Sequence, residues 1–414
     1  MRFRSMMAGL LATVALPFAL PAQAANIEVV HWWTSGGEQA AVSVFAKEFD
    51  ALGGDKWVDT GIAGGTNARA AVMQRILGGD PPQAAQFNIS RQFEDLTNSG
   101  QLLDLTELAE KEGWRKVIRP KSILDVCEKD GHIYCVPVNI HSWQWAWASV
   151  EAFKKAGAPI PTTIEDFLAA APKLKAAGII PFAIGGEKWQ QAGAFNVLLL
   201  GMNGPDLFYK VYRSKDPAAA GSPEVKKVLE TLRSLKQYAD AGVSGRNWND
   251  TTNLVITNKA GLQIMGDWAR GEFALAGKKP GIDYECIPGP SPKAYLQVGG
   301  DVFIFPKQKD PAVEAAQLKL AAMLVNPTVQ AKFNLAKGSL PVRDDVDLSL
   351  ADSCMKKGLE ILKDPTSVVE NSEIFVSTDT QGQIEDLISE YWANDSLTVD
   401  DAQKRFVDII TKAK

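Results

Sequence analysis

Apolar and polar residues follow strand-like and helix-like periods in turn along this chain. The run Ile27 to Trp33 predicts a strand, and Glu38 to Leu52 places Val42, Phe45 and Phe49 on one face of a helix. Further strands are predicted at Ala84–Ile89, Ile133–Asn139, Trp143–Trp147, Ile179–Ile184 and Asp301–Phe305. Further helices are predicted at Asn67–Leu77, Arg91–Asn98, Leu105–Glu112, Thr163–Ala177, Phe195–Met202, Glu224–Ala241, Val313–Val325, Pro327–Leu335, Asp352–Leu362, Gly382–Asn394 and Asp400–Ala413. Strands that alternate with helices predict a parallel-type sheet covered by helices on both faces, an α/β fold.

The first 24 residues have the pattern of a secretory signal peptide. Arg2 and Arg4 give a basic start, an apolar run extends from Met6 to Leu20, and Ala22-Gln23-Ala24 is a small-residue cleavage site. Removal of residues 1–24 leaves 390 residues, a length at which chains usually divide into two hydrophobic cores. We therefore expect a secreted protein of two domains.

Charge and cysteine content narrow the class of partner. Without residues 1–24 the chain has 42 basic and 49 acidic residues, and this excess of negative charge disfavours nucleic acid or an anionic membrane as partner. Cys127 and Cys135 flank a hairpin-like turn, so a bridge between them is plausible and would leave Cys286 with Cys354. Three pairings are open from the sequence. His132 lies close to Cys127 and Cys135, but these are only three metal ligands and oxidation would remove two of them, so we expect no metal site and no cofactor.

Two adjacent tryptophans, Trp32 and Trp33, end the first predicted strand, and Glu38 follows a Gly36-Gly37 pair. An indole face can stack on the apolar face of a pyranose, and carboxylates can accept hydrogen bonds from its hydroxyl groups. This cluster favours a sugar site. The alternative is that both indoles belong to the hydrophobic core at a strand end.

Short segments spread in order over nearly the whole chain carry a family resemblance. They are Trp32–Glu38, Gly64-Gly65, Gly78–Pro82, Gln86–Asn88, Val136–His141, Gly266–Trp268, Gly299–Asp301 and Lys337–Arg343. Together they resemble the extracellular solute-binding proteins of carbohydrate ABC importers of the maltose-binding type, and most of all the glucose-binding branch of Gram-negative periplasms.

The resemblance implies a type II periplasmic binding protein. Two α/β lobes joined by crossing segments would hold the ligand in a cleft and close around it by hinge motion. One lobe would combine residues 25–139 with 299–339, and the other 140–298 with 340–414. The protein would be a periplasmic monomer without cofactor or metal. It would deliver a sugar, such as glucose or a related hexose, to the permease and ATPase subunits of an importer.

The resemblance also implies roles for individual residues. Trp33, with Trp32, would stack on the sugar ring, and Trp248 would form the opposing wall. Hydrogen bonds would come from the polar residues Glu38, Gln86, Asn88, Asp301 and Lys337. His141 and Trp268 are further candidates.

Each of these roles has a structural alternative. Glu38 could only interact with its helix dipole, Asp301 could pair with an arginine, and Lys337 could lie in solvent. Trp248 could be a core or loop anchor, Trp268 could serve mainly in packing, and His141 could be structural at the crossing.

The chain also departs from its resemblance at polar positions. Relatives often carry histidine or lysine where this chain has Asn88, arginine where it has Ser142, and a histidine in the segment Val376–Thr380, where it has none. Another hexose, a pentose or a longer sugar therefore stays open as the ligand.

Two other functions remain as alternatives to the sugar receptor. A secreted carbohydrate-active enzyme would need two carboxylates that flank one glycosidic bond, and one of them would need a raised pKa. A nearby Lys337 would instead lower the pKa of a carboxylate. A receptor for a non-sugar solute such as a polyamine or metal chelate would need an acidic or histidine-rich cleft.

Overall fold

The computed structural model describes residues 25–414, so the predicted signal peptide lies outside the described residues. Strands in this part of the chain are β1 (Asn26–His31), β2 (Lys56–Gly61), β3 (Ala84–Asn88), β4 (Glu128–Lys129), β5 (His132–Ile133), β6 (Cys135–Pro137), β7 (His141–Ser142), β8 (Ala146–Ser149), β9 (Ile180–Ala183), β10 (Ala260–Ile264), β11 (Tyr284–Ile287), β12 (Leu296–Gly299), β13 (Asp301–Ile304) and β14 (Val368–Glu370).

The described residues also form eighteen α-helices. They are α1 (Gly36–Ala51), α2 (Gly65–Leu77), α3 (Glu94–Asn98), α4 (Thr106–Glu112), α5 (Trp114–Val117), α6 (Lys121–Asp125), α7 (Val150–Lys155), α8 (Ile164–Ala176), α9 (Lys188–Tyr212), α10 (Pro217–Ala220), α11 (Pro223–Lys236), α12 (Trp248–Ile256), α13 (Ala269–Leu275), α14 (Pro311–Leu324), α15 (Pro327–Lys337), α16 (Ser353–Ile361), α17 (Thr378–Ala393) and α18 (Val399–Lys412).

The first lobe is built on a five-stranded sheet of order β2-β1-β3-β13-β6. β1 pairs in parallel with β2 and β3, as the alternating pattern predicts. β13 pairs antiparallel with β3 and β6, so the expectation of a parallel-type sheet is wrong for this edge. The reason is topological: β13 enters from a crossing segment rather than from a helix that returns over the sheet, and the parallel rule applies only to the latter.

The second lobe is built on a four-stranded sheet of order β11-β8-β10-β9. The sequence pattern indicated neither β10 nor β11. Every residue of β10 is buried, which removes the polar alternation there. The predicted strand at Trp143–Trp147 is displaced: β8 begins at Ala146, since Trp143 turns its ring toward Trp268 instead of continuing the strand. A second hydrophobic core lies among α9, α11, α17 and α18.

Three chain segments cross between the lobes near one another. Ile140 and Leu340 exchange both backbone hydrogen bonds, at 2.7 and 3.0 Å. The third segment contains Gly300, where a Cβ atom would lie only 2.2 Å from the carbonyl oxygen of Asn139. Only glycine allows this close approach of two crossing backbones.

Several local predictions are confirmed by atomic contacts. Thr163 and Asp166 form the reciprocal capping box at the start of α8. The disulfides are Cys127–Cys135 and Cys286–Cys354, the pairing that the turn between the first two cysteines favoured. Within residues 25–414, no helix is both long and apolar enough to cross a bilayer.

Candidate functional site

A buried carboxylate, Asp301, forms the centre of the candidate site at the start of β13. One carboxylate oxygen accepts from Nε2 of Gln86 at 2.8 Å, and the other accepts from Nδ2 of Asn139 at 2.8 Å. Nε2 of His141 lies 3.1 Å from the same second oxygen. Burial alone would raise the pKa of Asp301, but the hydrogen bond and charge of His141, with the charge of Lys337, hold it below its usual range. The carboxylate is thus kept ionised.

His141 joins carboxylates from the two lobes. Its Nδ1 lies 2.5 Å from Oδ1 of Asp267, and its Nε2 faces Asp301. Burial would lower the pKa of His141, but the charge of Asp267 and the bonds to both carboxylates raise it. Both ring nitrogens are occupied by protein groups, which favours the structural interpretation of His141. Asp267 was not predicted as a site residue, although it lies inside the Gly266–Trp268 segment of the resemblance.

A second charged pair, Glu38 with Lys337, lies near the start of α1. Nζ of Lys337 is 3.2 Å from Oε1 of Glu38, and the two residues are 2% and 7% exposed. Lys337 ends α15, and Gly338 follows it in the left-handed conformation with φ 94°. This turn brings the lysine inward, so the alternative that Lys337 lies in solvent is wrong.

The two adjacent tryptophans have different environments. Trp33 is 1% exposed, and its ring lies 5.3 Å from Phe333 and 5.8 Å from Phe303, which is a core environment. Trp32 is half-buried, and its backbone N–H donates to Oε1 of Gln86 at 3.0 Å. Of the pair, Trp32 is therefore the one that keeps part of its surface accessible.

Gln86 and Asn88 lie two residues apart at the end of β3. Both ends of the Gln86 amide are used within the protein, one by Trp32 and one by Asp301, so Gln86 positions these two residues. Asn88 accepts from Nη1 of Arg69 at 3.4 Å. No sequence signal indicated Arg69, which comes from the neighbouring helix α2.

The other lobe contributes an aromatic wall, which we define as Trp143, Trp189 and Trp268. The ring of Trp268 lies 4.9 Å from that of Trp143 and 5.3 Å from that of His141, both edge to face, and Trp143 lies 5.5 Å from Trp189. Gly266 allows this fold, because a Cβ there would lie 2.1 Å from the Trp268 ring. All three tryptophans are half-buried.

Trp248 stands apart from the aromatic wall. It is half-buried at the start of α12, and its carbonyl oxygen accepts from Thr252 and Gln263. Within residues 25–414 its ring joins none of the aromatic pairs. The aromatic wall was not predicted as such, although the alternation of Trp143, Trp145 and Trp147 was a visible signal.

Elements of the two lobes also touch at two further places. The backbone N–H of Gly37 in α1 donates to Oε1 of Glu272 in α13 at 2.9 Å. Elsewhere, Nε2 of Gln92 donates to Oε2 of Glu373 at 3.4 Å. The two lobes are therefore in direct contact. Within the described residues no group of three or more histidine, cysteine or acidic side chains is arranged to hold a metal ion.

The chemistry of the site is that of binding polar groups beside apolar rings. Ionised carboxylates accept hydrogen bonds, a lysine donates them, and half-buried indoles offer apolar faces. Such a combination suits a ligand that has hydroxyl groups at its rim and an apolar face.

Comparisons with known proteins agree on one family. Residues 33–331 match the family described as bacterial extracellular solute-binding protein. A probable sugar-binding periplasmic protein of Rhizobium meliloti is 41% identical over 355 residues, which are 85% of this chain and 84% of that protein.

Solved structures share the fold at low sequence identity. A chitin oligosaccharide binding protein superposes with a TM-score of 0.80 at 18% identity, covering 94% of this chain and 99% of the other. A bacterial solute receptor with an exclusive preference for β-D-galactopyranose gives a TM-score of 0.77 at 20% identity, covering 93% and 98%. The match to the family profile and the extent of the 41% identity together establish that this chain belongs to the bacterial extracellular solute-binding proteins.

Proposed function

We propose that this protein is a periplasmic receptor that binds a sugar between its lobes and delivers it to the permease and ATPase subunits of an ABC importer. The observation that carries the proposal is a continuous set of contacts from Trp32 through Gln86, Asp301 and His141 to Trp268, which joins the two lobes. Half-buried indoles, Trp32 on one side and the aromatic wall on the other, lie beside the ionised Asp301 and the buried Glu38–Lys337 pair. The relative in Rhizobium meliloti is named as sugar-binding and periplasmic, which supports the same class.

The ligand we propose is a monosaccharide such as glucose or a related hexose. Its ring hydroxyls would donate to Asp301 and Glu38 and accept from Lys337, while Trp32 and Trp268 cover its apolar faces. Charge-assisted bonds and two indoles are compatible with a dissociation constant of about micromolar, roughly −8 kcal/mol.

Closure of the lobes would be the signal that the importer reads. We propose hinges near Asn139–His141, Val298 and Ser339–Pro341, with the lobes divided at 25–139 plus 299–339 and 140–298 plus 340–414. A ligand that contacts both lobes only when they are closed shifts the population toward the closed form. Contacts such as that between Gly37 and Glu272 would then form only on closure.

The test is thermal unfolding together with tryptophan fluorescence of the protein, first freed of co-purified ligand by unfolding and refolding. D-glucose, D-galactose, D-xylose and maltose are the ligands, and L-glucose is the control. One sugar should raise the melting temperature and change the emission, because a ligand stabilises the state that it binds. If none does so, or if L-glucose acts equally well, the proposal is wrong. Release of a product from any glycoside would favour the enzyme instead.

A further inference from the structure

Arg69 is a cation held at the cleft by one lobe. Its guanidinium carbon lies 5.3 Å from the centroid of the Trp32 ring. Gly65, at the start of the same helix, leaves room for it, because a Cβ there would lie 2.8 Å from Nη1 of Arg69 and 3.4 Å from Cδ2 of Trp32. The indole, the glycine backbone and Asn88 together fix the orientation of the guanidinium.

The charges of two carboxylates of the other lobe act on this guanidinium. Glu373 lies in a short 3₁₀ segment, Ser372–Ile374, and Glu385 lies in α17. Burial, with the charges of Glu385 and Asp301, raises the pKa of Glu373 to about 7, although the charge of Arg69 opposes this. Burial lowers the pKa of Arg69, while the charges of Glu373 and Glu385 oppose that shift. All three side chains are half-buried, so solvent screens their mutual interaction only in part.

Within residues 25–414, Arg69 makes no direct ion pair with either carboxylate. Its side-chain hydrogen bonds go to Asn88 at 3.4 Å and Thr66 at 3.5 Å, both near the upper limit of length. A guanidinium has five N–H donors, so most of its capacity is left. Glu373 accepts one long hydrogen bond, from Nε2 of Gln92 at 3.4 Å, so its carboxylate also has capacity left. A group that both donates and accepts would add a partner to Arg69 and to Glu373 together.

We propose that Arg69 and Glu373 are further ligand-binding residues that hold two adjacent hydroxyl groups of the sugar, one residue from each lobe. This inference rests on the proposed function and specifies the ligand more closely. The planar fork of arginine fits two neighbouring oxygens, and a hydroxyl group can accept from the fork while it donates to a carboxylate. The nearby carboxylates disfavour an anionic sugar, such as a phosphate or uronic acid, at this end. The site selects a neutral sugar with a free vicinal diol.

The experiment is calorimetric titration of D-glucose, D-galactose, D-xylose and maltose into the wild-type protein and four variants. Arg69→Met should weaken sugar binding about tenfold to a hundredfold, and Arg69→Lys should recover only part of that loss because it lacks the fork. Glu373→Gln should weaken binding from the other lobe. Arg75→Met is the matched control, since Arg75 lies on the same helix but pairs with Glu28 at 2.8 Å in β1.

Mono-O-methyl derivatives of the sugar that binds separate direct contact from a structural role. Methylation at two adjacent positions should weaken wild-type binding and should weaken Arg69→Met binding much less. Unchanged affinity in Arg69→Met, or an equal loss in Arg75→Met, would overturn the inference while the sugar receptor stands. If the wild-type protein binds none of the four sugars, the proposed function fails and this inference with it. If Arg69→Met fails to fold, the sugar affinities of Arg69→Lys and Glu373→Gln test the inference in its place.

Discussion

The buried pair of Lys337 and Glu38 offers the sharpest test of the site, because the chain contains its own control. Lys337 lies on α15 and contacts a glutamate of α1 at 3.2 Å, with both side chains nearly inaccessible. Lys332, on the same helix, contacts Glu48 of the same α1 at 2.6 Å, but its side chain is 52% exposed. Lys337→Met and Lys332→Met therefore remove the same charge from the same helix pair and differ chiefly in burial.

The expected loss of stability differs several-fold between the two variants. Removing one partner of a buried ion pair leaves an uncompensated buried charge, which costs about 3–5 kcal/mol. An exposed pair contributes at most about 1 kcal/mol. With about 2 cal/mol/K of unfolding entropy per residue over 390 residues, Lys337→Met should lower the melting temperature by about 4–6 °C and Lys332→Met by about 1 °C.

Differential scanning calorimetry measures the two shifts, and titration with the responding sugar measures affinity. Lys337→Met should also weaken sugar binding about tenfold or more, because a charge-assisted hydrogen-bond donor is lost. Lys332→Met should leave the affinity for the sugar unchanged. Adding Glu38→Gln to Lys337→Met should restore part of the stability, because it removes the uncompensated charge. Equal shifts in the two single variants would refute the reasoning from burial. Unchanged affinity in Lys337→Met would remove Lys337 from the ligand site.

Three further outcomes are expected. Trp33→Ala should cost about 3–5 kcal/mol of unfolding free energy by denaturant titration, because the ring lies in a core of phenylalanines; a stable variant with weakened sugar binding would instead favour direct stacking. Glu373→Gln should stabilise the protein by up to about 3 kcal/mol at pH 8. The gain should fade as pH falls through about 7 toward the usual 4.5, since the wild-type carboxyl is then protonated; a gain that is independent of pH would contradict the raised pKa of Glu373. Replacing both cysteines of the Cys286–Cys354 bridge by serine should cost about 4 kcal/mol, against about 2.5 kcal/mol for the Cys127–Cys135 bridge, because their sequence separations are 68 and 8; chemical denaturation that gives the reverse order would refute the loop-entropy argument.

Local patterns determined the elements that rest on local physics. The apolar period of β1 and α1, the capping box of Thr163 and Asp166, and the pairing of Cys127 with Cys135 were all predictable. Each depends on residues within a few turns of chain, whose geometry is nearly fixed once the element forms. The lobe boundaries stay a prediction.

Tertiary structure decided which side chains meet. The sequence could not tell Trp32 from Trp33. Only the tertiary packing of β13 and α15 puts Phe303 and Phe333 against the ring of Trp33. It gave no sign that the charge of Glu373 acts on Arg69, about three hundred residues away. Contacts at such separations depend on how the lobes close, and no local period records that geometry. The sequence alone determined the α/β elements, the disulfide turn and the family segments. Tertiary structure decided the strand order of the mixed sheet, the burial of Lys337 and which side chains meet between the lobes.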